Sequence, residues 1–229
     1  MGKDHSNMRT PLQPFTDSQS TTAEQEAYEY ILQRIRRGTY GPGDRLKPED
    51  IASAIDMSRM PVREAFRRLA TEGLLVLRPN RGAVVVTLDL DDIREIFEMR
   101  EVLEGLAMRT AVDHFDSRAR SDLGHLLERM EYARKADTGD WLAAHRSFHE
   151  YVCALSNRQR LMRQIAGLHT ALEPYLRLWL IHANQPVSAD VQGEHREIVE
   201  AIASGDPARA EKTMQEHIRT TAPDLARVL

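Results

Sequence analysis

Apolar residues recur at three- and four-residue spacing along most of this chain, with one short interruption by a different pattern. Between Ser58 and Gly82 (SRMPVREAFRRLATEGLLVLRPNRG), Val62, Phe66, Leu69 and Ala70 form one helical face, and Arg59, Arg63, Arg67 and Arg68 lie off it. Gly73 stops that helix. Leu74 to Arg78 then predicts a strand, Pro79-Asn80-Arg81-Gly82 a tight turn, and Ala83 to Thr87 a β-branched return strand. Upstream, Thr22 to Arg37 predicts a helix that turns Ala27, Ile31, Leu32 and Ile35 inward. Gly38 to Gly43 is dense in Gly and Pro and predicts a loop. Pro48 to Ile55 reads as a short helix with proline in its first turn, where a missing N–H is tolerated. Asp56-Met57 is the turn, and Ser58 is placed to cap the third helix. Three helices and a hairpin in that order predict a winged helix-turn-helix over residues 21–88.

Past Thr87 only the helical period remains. Helices are predicted over Leu90 to His114, Ser117 to Ala136, Trp141 to Leu155, Gln159 to Ala183 (with Pro174 inside it), Ala189 to Ala203 and Asp206 to Thr220. Thr138-Gly139-Asp140, Ser156-Asn157, Asn184 to Ser188 and Ser204 to Pro207 read as breaks between them. Six helices over residues 89–229 predict an antiparallel bundle with its own core. The expected fold class is therefore mainly α: a winged helix-turn-helix, then an all-α bundle. Residues 1–20 carry no periodicity and are expected to form a disordered arm.

Charge changes this picture more than composition does. The chain has 229 residues and a formal net charge of −4, which by itself argues against nucleic acid. Residues 59–81 nevertheless hold six Arg against two Glu, while residues 89–229 hold eighteen Lys and Arg against twenty-four Asp and Glu. A local basic patch on an acidic chain suits site-specific DNA binding with little general stickiness. No apolar run is long enough to span a membrane, and no secretory leader is apparent. The single cysteine, Cys153, suits a reducing cytoplasm, which is the expected location.

Residues 28–87 resemble the DNA-binding domain of the GntR superfamily of bacterial transcription regulators. The matching pieces are RRGTYGPGDRL, PEDIA and SRMPVREAFRRLATEGLLVLRPNRGAVV. The helical half resembles the FadR-type effector (FCD) domain, through MREVLEGLA, SFHEYV around His149, EHREIV around His195 and MQEHI around His217. The resemblance implies that the third helix enters the major groove and that the wing tip reaches the minor groove or backbone. Arg59 and Arg63 are then candidates for base contact, since a guanidinium can bond guanine O6 and N7 together. Lys47, Ser58 and Arg67 are candidates for phosphate, and Arg81 with Gly82 for the wing tip. Met60 departs from the small polar residue common at its position.

Four histidines have spacings that ask for a reason. His145 and His149 share a face at i and i+4. His195 and His217 lie about equally far on either side of the Ser204 to Pro207 turn, hence at similar height in a helical hairpin. Spacing alone allows a metal site or ordinary satisfied histidines. The resemblance implies a metal site, built in that subgroup from an acidic residue, a histidine four later and two further histidines. Here His145 stands where the acid would be, and Asp140 is off the face. A four-imidazole site favours Zn, with Ni or Cu as alternatives, over Mg or Ca. His114, His125, His169 and His182 are expected to be ordinary helix residues. Arg100 matches a family position that can face an effector cavity, and a salt bridge to Glu104 is its alternative. Arg177 is a second candidate for holding an anionic effector.

The function expected is a ligand-responsive transcription regulator, a repressor, acting as a homodimer on a double-stranded DNA operator and responding to a small organic acid. A metal-dependent enzyme or a metal-binding bundle is the alternative. Arg146 follows His145 where a zinc peptidase of the H-E-x-x-H kind would need glutamate, and no nucleophilic triad is evident, so no enzymatic activity is expected.

Overall fold

The computed structural model describes residues 22–79, 81–135, 138–183 and 189–226. The arm expected over 1–20, the loop Asn184 to Ser188 and the side chain of His182 lie outside them. Nine helices and three strands are seen among the described residues.

Helix α1 (Ala23–Arg36) is capped by the Thr22 hydroxyl, which accepts from the Gln25 amide. It is followed by β1 (Arg45–Leu46), α2 (Pro48–Ala54), α3 (Arg59–Thr71), β2 (Leu75–Arg78) and β3 (Gly82–Val85). The strands form one antiparallel sheet in the order β1-β3-β2. Ile31, Ile35, Ile51, Phe66, Leu69 and Val85 meet in a continuous core. Each such fully buried side chain contributes about 1.5–3 kcal/mol. Ser58 occupies the cap position of α3, but its side chain makes no capping bond. The sequence pattern did not reveal β1. Two residues are too short to display a period, and their partner strand is almost forty residues away. At Gly82, where φ is +82°, a Cβ would come within 2.1 Å of the Leu46 carbonyl oxygen. The glycine at the wing is thus demanded by strand packing inside the sheet.

Six helices follow: α4 (Leu90–Ala111), α5 (Ser117–Arg134), α6 (Thr138–Ala154), α7 (Gln159–Ala183), α8 (Ala189–Ala203) and α9 (Pro207–Ala226). A single 3₁₀ turn, Val112–His114, follows α4. Thr138-Gly139-Asp140 is the first turn of α6 rather than a break. Residues that are poor helix formers in an interior are tolerated at this end, where the amides have no partner within the helix. Met108, Leu123, Phe148, Ile165, Leu172 and Ile198 belong to a second, separate core.

The passage from the sheet to α4 is taut. Val86 N–H donates to the Leu74 carbonyl, Leu88 N–H to the Tyr175 hydroxyl at 2.5 Å, and Asp89 N–H to Asp92 Oδ2 at 3.0 Å. Asp89 and Asp92 complete a capping box at the start of α4. Alongside, α7 docks on α1 through residues spaced three and four apart. Arg36 donates to the Thr170 hydroxyl at 2.9 Å and pairs with Glu173 at 3.5 Å. Arg177 Nε donates to the Arg36 carbonyl at 3.2 Å, placing a cation at the C-terminal end of α1. Gly38 makes room for it; a Cβ there would lie 2.8 Å from Arg177 Cδ.

Candidate functional site

The two halves present two different kinds of site. On the winged helix, Arg59, Arg63 and Arg67 project from α3 as exposed side chains, with exposed Lys47 at the start of α2 and exposed Arg81 at the wing. Arg59 pairs with Glu49 at 3.2 Å, and Arg67 pairs with Glu64. Arg63 has no ion pair among the described residues. The free hydroxyl of exposed Ser58 lies at the N-terminus of α3, where amides and helix dipole favour an anion. Met60 is 62% exposed on the same helix. Arg45 and Arg78 add exposed cations on the neighbouring strands, and neither was singled out from the sequence.

In the bundle, α6, α8 and α9 bring four imidazoles together. One ligand nitrogen from each of His145, His149, His195 and His217 lies within 4.8 Å of the others. Ring centroids are 4.5 Å apart for His145–His149, 4.6 Å for His195–His217 and 5.3 Å for His149–His217. His149, His195 and His217 are buried, and His145 is half-buried, stacked on Trp141.

In three of the four rings the outer nitrogen is spoken for. His149 Nδ1 faces Glu104 Oε2 at 3.1 Å, His195 Nδ1 the Val191 carbonyl at 2.6 Å, and His217 Nδ1 Glu194 Oε2 at 2.8 Å. Each partner is an acceptor only, so each Nδ1 carries a proton, and in the neutral ring Nε2 then keeps its lone pair. Nε2 of His149 and of His195 is buried with no hydrogen-bond partner. Buried polar atoms are rarely left so. Burial pushes the His149 imidazole down to about 3, against the Glu104 hydrogen bond that raises it. Burial, then the neighbouring imidazoles, also hold His145 and His195 well below the usual range. Neutral rings with outward protons and inward lone pairs are the state that metal binding requires. The donor set therefore fits a divalent ion of the zinc class.

Sequence reasoning reached Glu104 only as a salt-bridge partner for Arg100 and missed its place behind the imidazoles. Glu104 is fully buried and accepts from Arg100 Nε at 2.7 Å and His169 Nε2 at 2.7 Å, besides His149. Burial acts to raise its carboxyl, but Arg100, His169 and the two histidine hydrogen bonds overcome this and hold it well below the usual range. His169, expected to be an ordinary helix residue, is instead buried in this network. The i, i+4 spacing of Arg100 and Glu104 was visible, but not that α6 and α7 would close over the pair.

A cavity of about 220 Å³ adjoins the cluster; Arg100, Trp141, His145, Trp179, His217 and Thr221 are among its lining residues. Arg100 thus both pairs with Glu104 and faces the cavity, so its two sequence readings are compatible. Arg177 does not line the cavity. Its face of α7 points to α1, where it binds the Arg36 carbonyl, which removes it from the expected effector contacts. On the far side of Arg100, Arg146 Nη1 donates to both oxygens of Glu173, at 2.6 and 2.7 Å. Glu173 thereby joins α6 to α1.

Comparison with known proteins agrees with the division of the chain into two cores. Residues 23–85 match the model described as bacterial regulatory proteins, gntR family, and residues 95–220 match the FCD domain. A probable D-xylose utilization operon transcriptional repressor from Paenarthrobacter nicotinovorans is 31% identical over 206 residues, covering 90% of each chain. The HTH-type transcriptional repressor GlaR of Escherichia coli (strain K12) is 23% identical, covering 89% of this chain and 96% of its own. Among solved structures, E. coli McbR/YncC superposes with a TM-score of 0.80 at 23% identity, covering 90% of this chain and 98% of its own. With both models matched in turn along the chain, it belongs to the GntR family of transcription regulators and carries an FCD domain.

Proposed function

We propose that this regulator is a cytoplasmic, homodimeric repressor whose DNA affinity is set by a metal-assisted carboxylate site. Residues 21–88 would read the operator, and residues 89–229 would bind the effector and hold the dimer. The observation that carries the reading is the convergence of four imidazoles, three of them fixed by an acceptor behind Nδ1, around the buried, partnerless Nε2 atoms of His149 and His195. His145, His149, His195 and His217 would hold a divalent ion, zinc being favoured and Ni or Cu next. When bound, the ion would supply a Lewis-acid contact for a small organic acid. Arg100, anchored through Nε and with further N–H groups free to point at the cavity, would receive the same carboxylate. Glu104, one bond behind His149, would supply the negative charge that four neutral ligands lack.

On the DNA side, Arg63 and Arg59 are the base readers, and Lys47, Ser58, Arg67 and Arg81 the phosphate contacts. A homodimer would present two such surfaces to a pseudo-palindromic site. Met99 at 40% and Val102 at 62% exposure give α4 an apolar outer strip consistent with a subunit contact. The repressor names carried by the two relatives support the direction of control. Effector binding would shift the balance between two arrangements of the DNA-binding units, with Glu173 as the shared contact.

The test is an electrophoretic mobility shift on the promoter beside the protein's own gene, with zinc-loaded and chelated protein. The expected result is a retarded band that a carboxylate effector releases only from the loaded protein. A band indifferent to metal and to every organic acid would overturn the effector reading; no band, with Arg63→Ala behaving as wild type, would overturn the DNA reading.

A further inference from the structure

The cavity wall restricts which carboxylate can be the effector. We infer that the site takes a monocarboxylate with an aromatic or branched apolar body, rather than a dicarboxylate or a sugar acid; this rests on the carboxylate reading above. The cationic part of the wall is Arg100, next to the imidazoles of His145 and His217. The remaining charged lining residues are Asp190 and Glu194, both acidic. A second carboxylate on the ligand would meet two like charges and no further Lys or Arg among the lining residues, which disfavours it.

Much of the rest of the wall is apolar. Leu142, Leu176, Leu180, Val191 and Ile218 line it together with the Trp141 and Trp179 rings. A polyhydroxylated acid would leave its hydroxyls facing these groups without partners; Thr220 and Thr221 are the hydroxyl-bearing residues of the lining. Size agrees with the chemistry. An apolar cavity of about 150 Å³ accepts benzene. The 220 Å³ here leaves space for a ring and a short acid side chain. Trp141 and Trp179 are both tryptophans of the chain, so indole fluorescence reports on this cavity alone.

The experiment titrates the full-length zinc-loaded protein with phenylacetate, 4-methylpentanoate, succinate, gluconate and phenylacetamide. Heat of binding and tryptophan emission are read together. Phenylacetate or 4-methylpentanoate should bind at least tenfold more tightly than succinate and gluconate and should alter the emission. Phenylacetamide should bind at least tenfold more weakly than phenylacetate. Trp179→Leu, a change at a half-buried position, should weaken phenylacetate about tenfold and leave succinate unchanged. Equal or tighter binding of succinate or gluconate would overturn the assigned class while leaving a carboxylate site intact. Binding of the amide as tightly as the acid, or of none of the acids by protein with stoichiometric zinc, would overturn the carboxylate reading itself.

Discussion

The winged helix and the helical bundle keep their charges in opposite places. Among the described residues, none of the buried charged or polar side chains belongs to the winged helix; Arg100, Glu104, His149, His169, Glu173, His195 and His217 are all in the bundle. The winged helix has an apolar interior and puts the arginines of α3 and the hairpin in water, where they cost little and can meet a polyanion. The bundle removes charge from water, which is unfavourable unless every group is matched. Such groups persist where they serve a site. One half is built to present charge, the other to sequester it, and the two should fail differently when mutated.

The largest break should come from the buried side. Glu104→Leu strips Arg100, His149 and His169 of a shared partner at once. We expect a stability loss of about 3–5 kcal/mol in urea unfolding, with metal content well below one per chain by elemental analysis. An unchanged midpoint would show that the network is not what holds these helices together. On the exposed side, Arg63→Ala should leave stability and metal content alone and weaken operator binding by about 1–3 kcal/mol, read by mobility shift. A fall in melting temperature would mean that this arginine is structural after all.

The contact between the halves offers a sharper case. Glu173→Gln removes the charge facing Arg36 and Arg146 but keeps the shape. DNA affinity and effector affinity measured separately should change little, while the factor by which one alters the other shrinks from the usual range of about 1–3 kcal/mol towards zero. Full coupling in this variant would send the signal elsewhere. The smallest effect belongs to Lys47→Ala. If Lys47 meets one phosphate, the slope of log affinity against log salt should become shallower by about 0.9, and an unaltered slope would exclude that contact.

Much of this contrast was legible in the sequence, though unevenly. Long amphipathic helices announce themselves because one face repeats many times, so α1, α3 and α7 could be bounded within a residue or so. The pair His145–His149 was readable from a single turn of helix, and His195 and His217 from their symmetry about one turn. The link of Glu104 and His169 to these imidazoles had no such signature. Each is one residue on a different helix, and only tertiary packing of α4, α6 and α7 makes them partners. Arg177 misled for a related reason: which side of α7 faces the cavity and which faces α1 is a matter of tertiary packing, and the Arg36 carbonyl and the space left by Gly38 that receive it are far away in the chain. Gly82 looked like an adaptation to DNA, but the Leu46 carbonyl requires it.

The taut passage between Val85 and Leu90 has a consequence for how such proteins can be recombined. A connection whose amides are tied to Leu74, Tyr175 and Asp92 behaves less like a tether than like a keyed shaft. A foreign DNA-reading head spliced onto this bundle at residue 88 would inherit its angular setting from Tyr175. Heads whose last strand ends one residue early or late would be mounted turned away from their operator, however well each part folds. In this architecture the hydroxyl of one tyrosine fixes the gauge to which interchangeable parts must be cut.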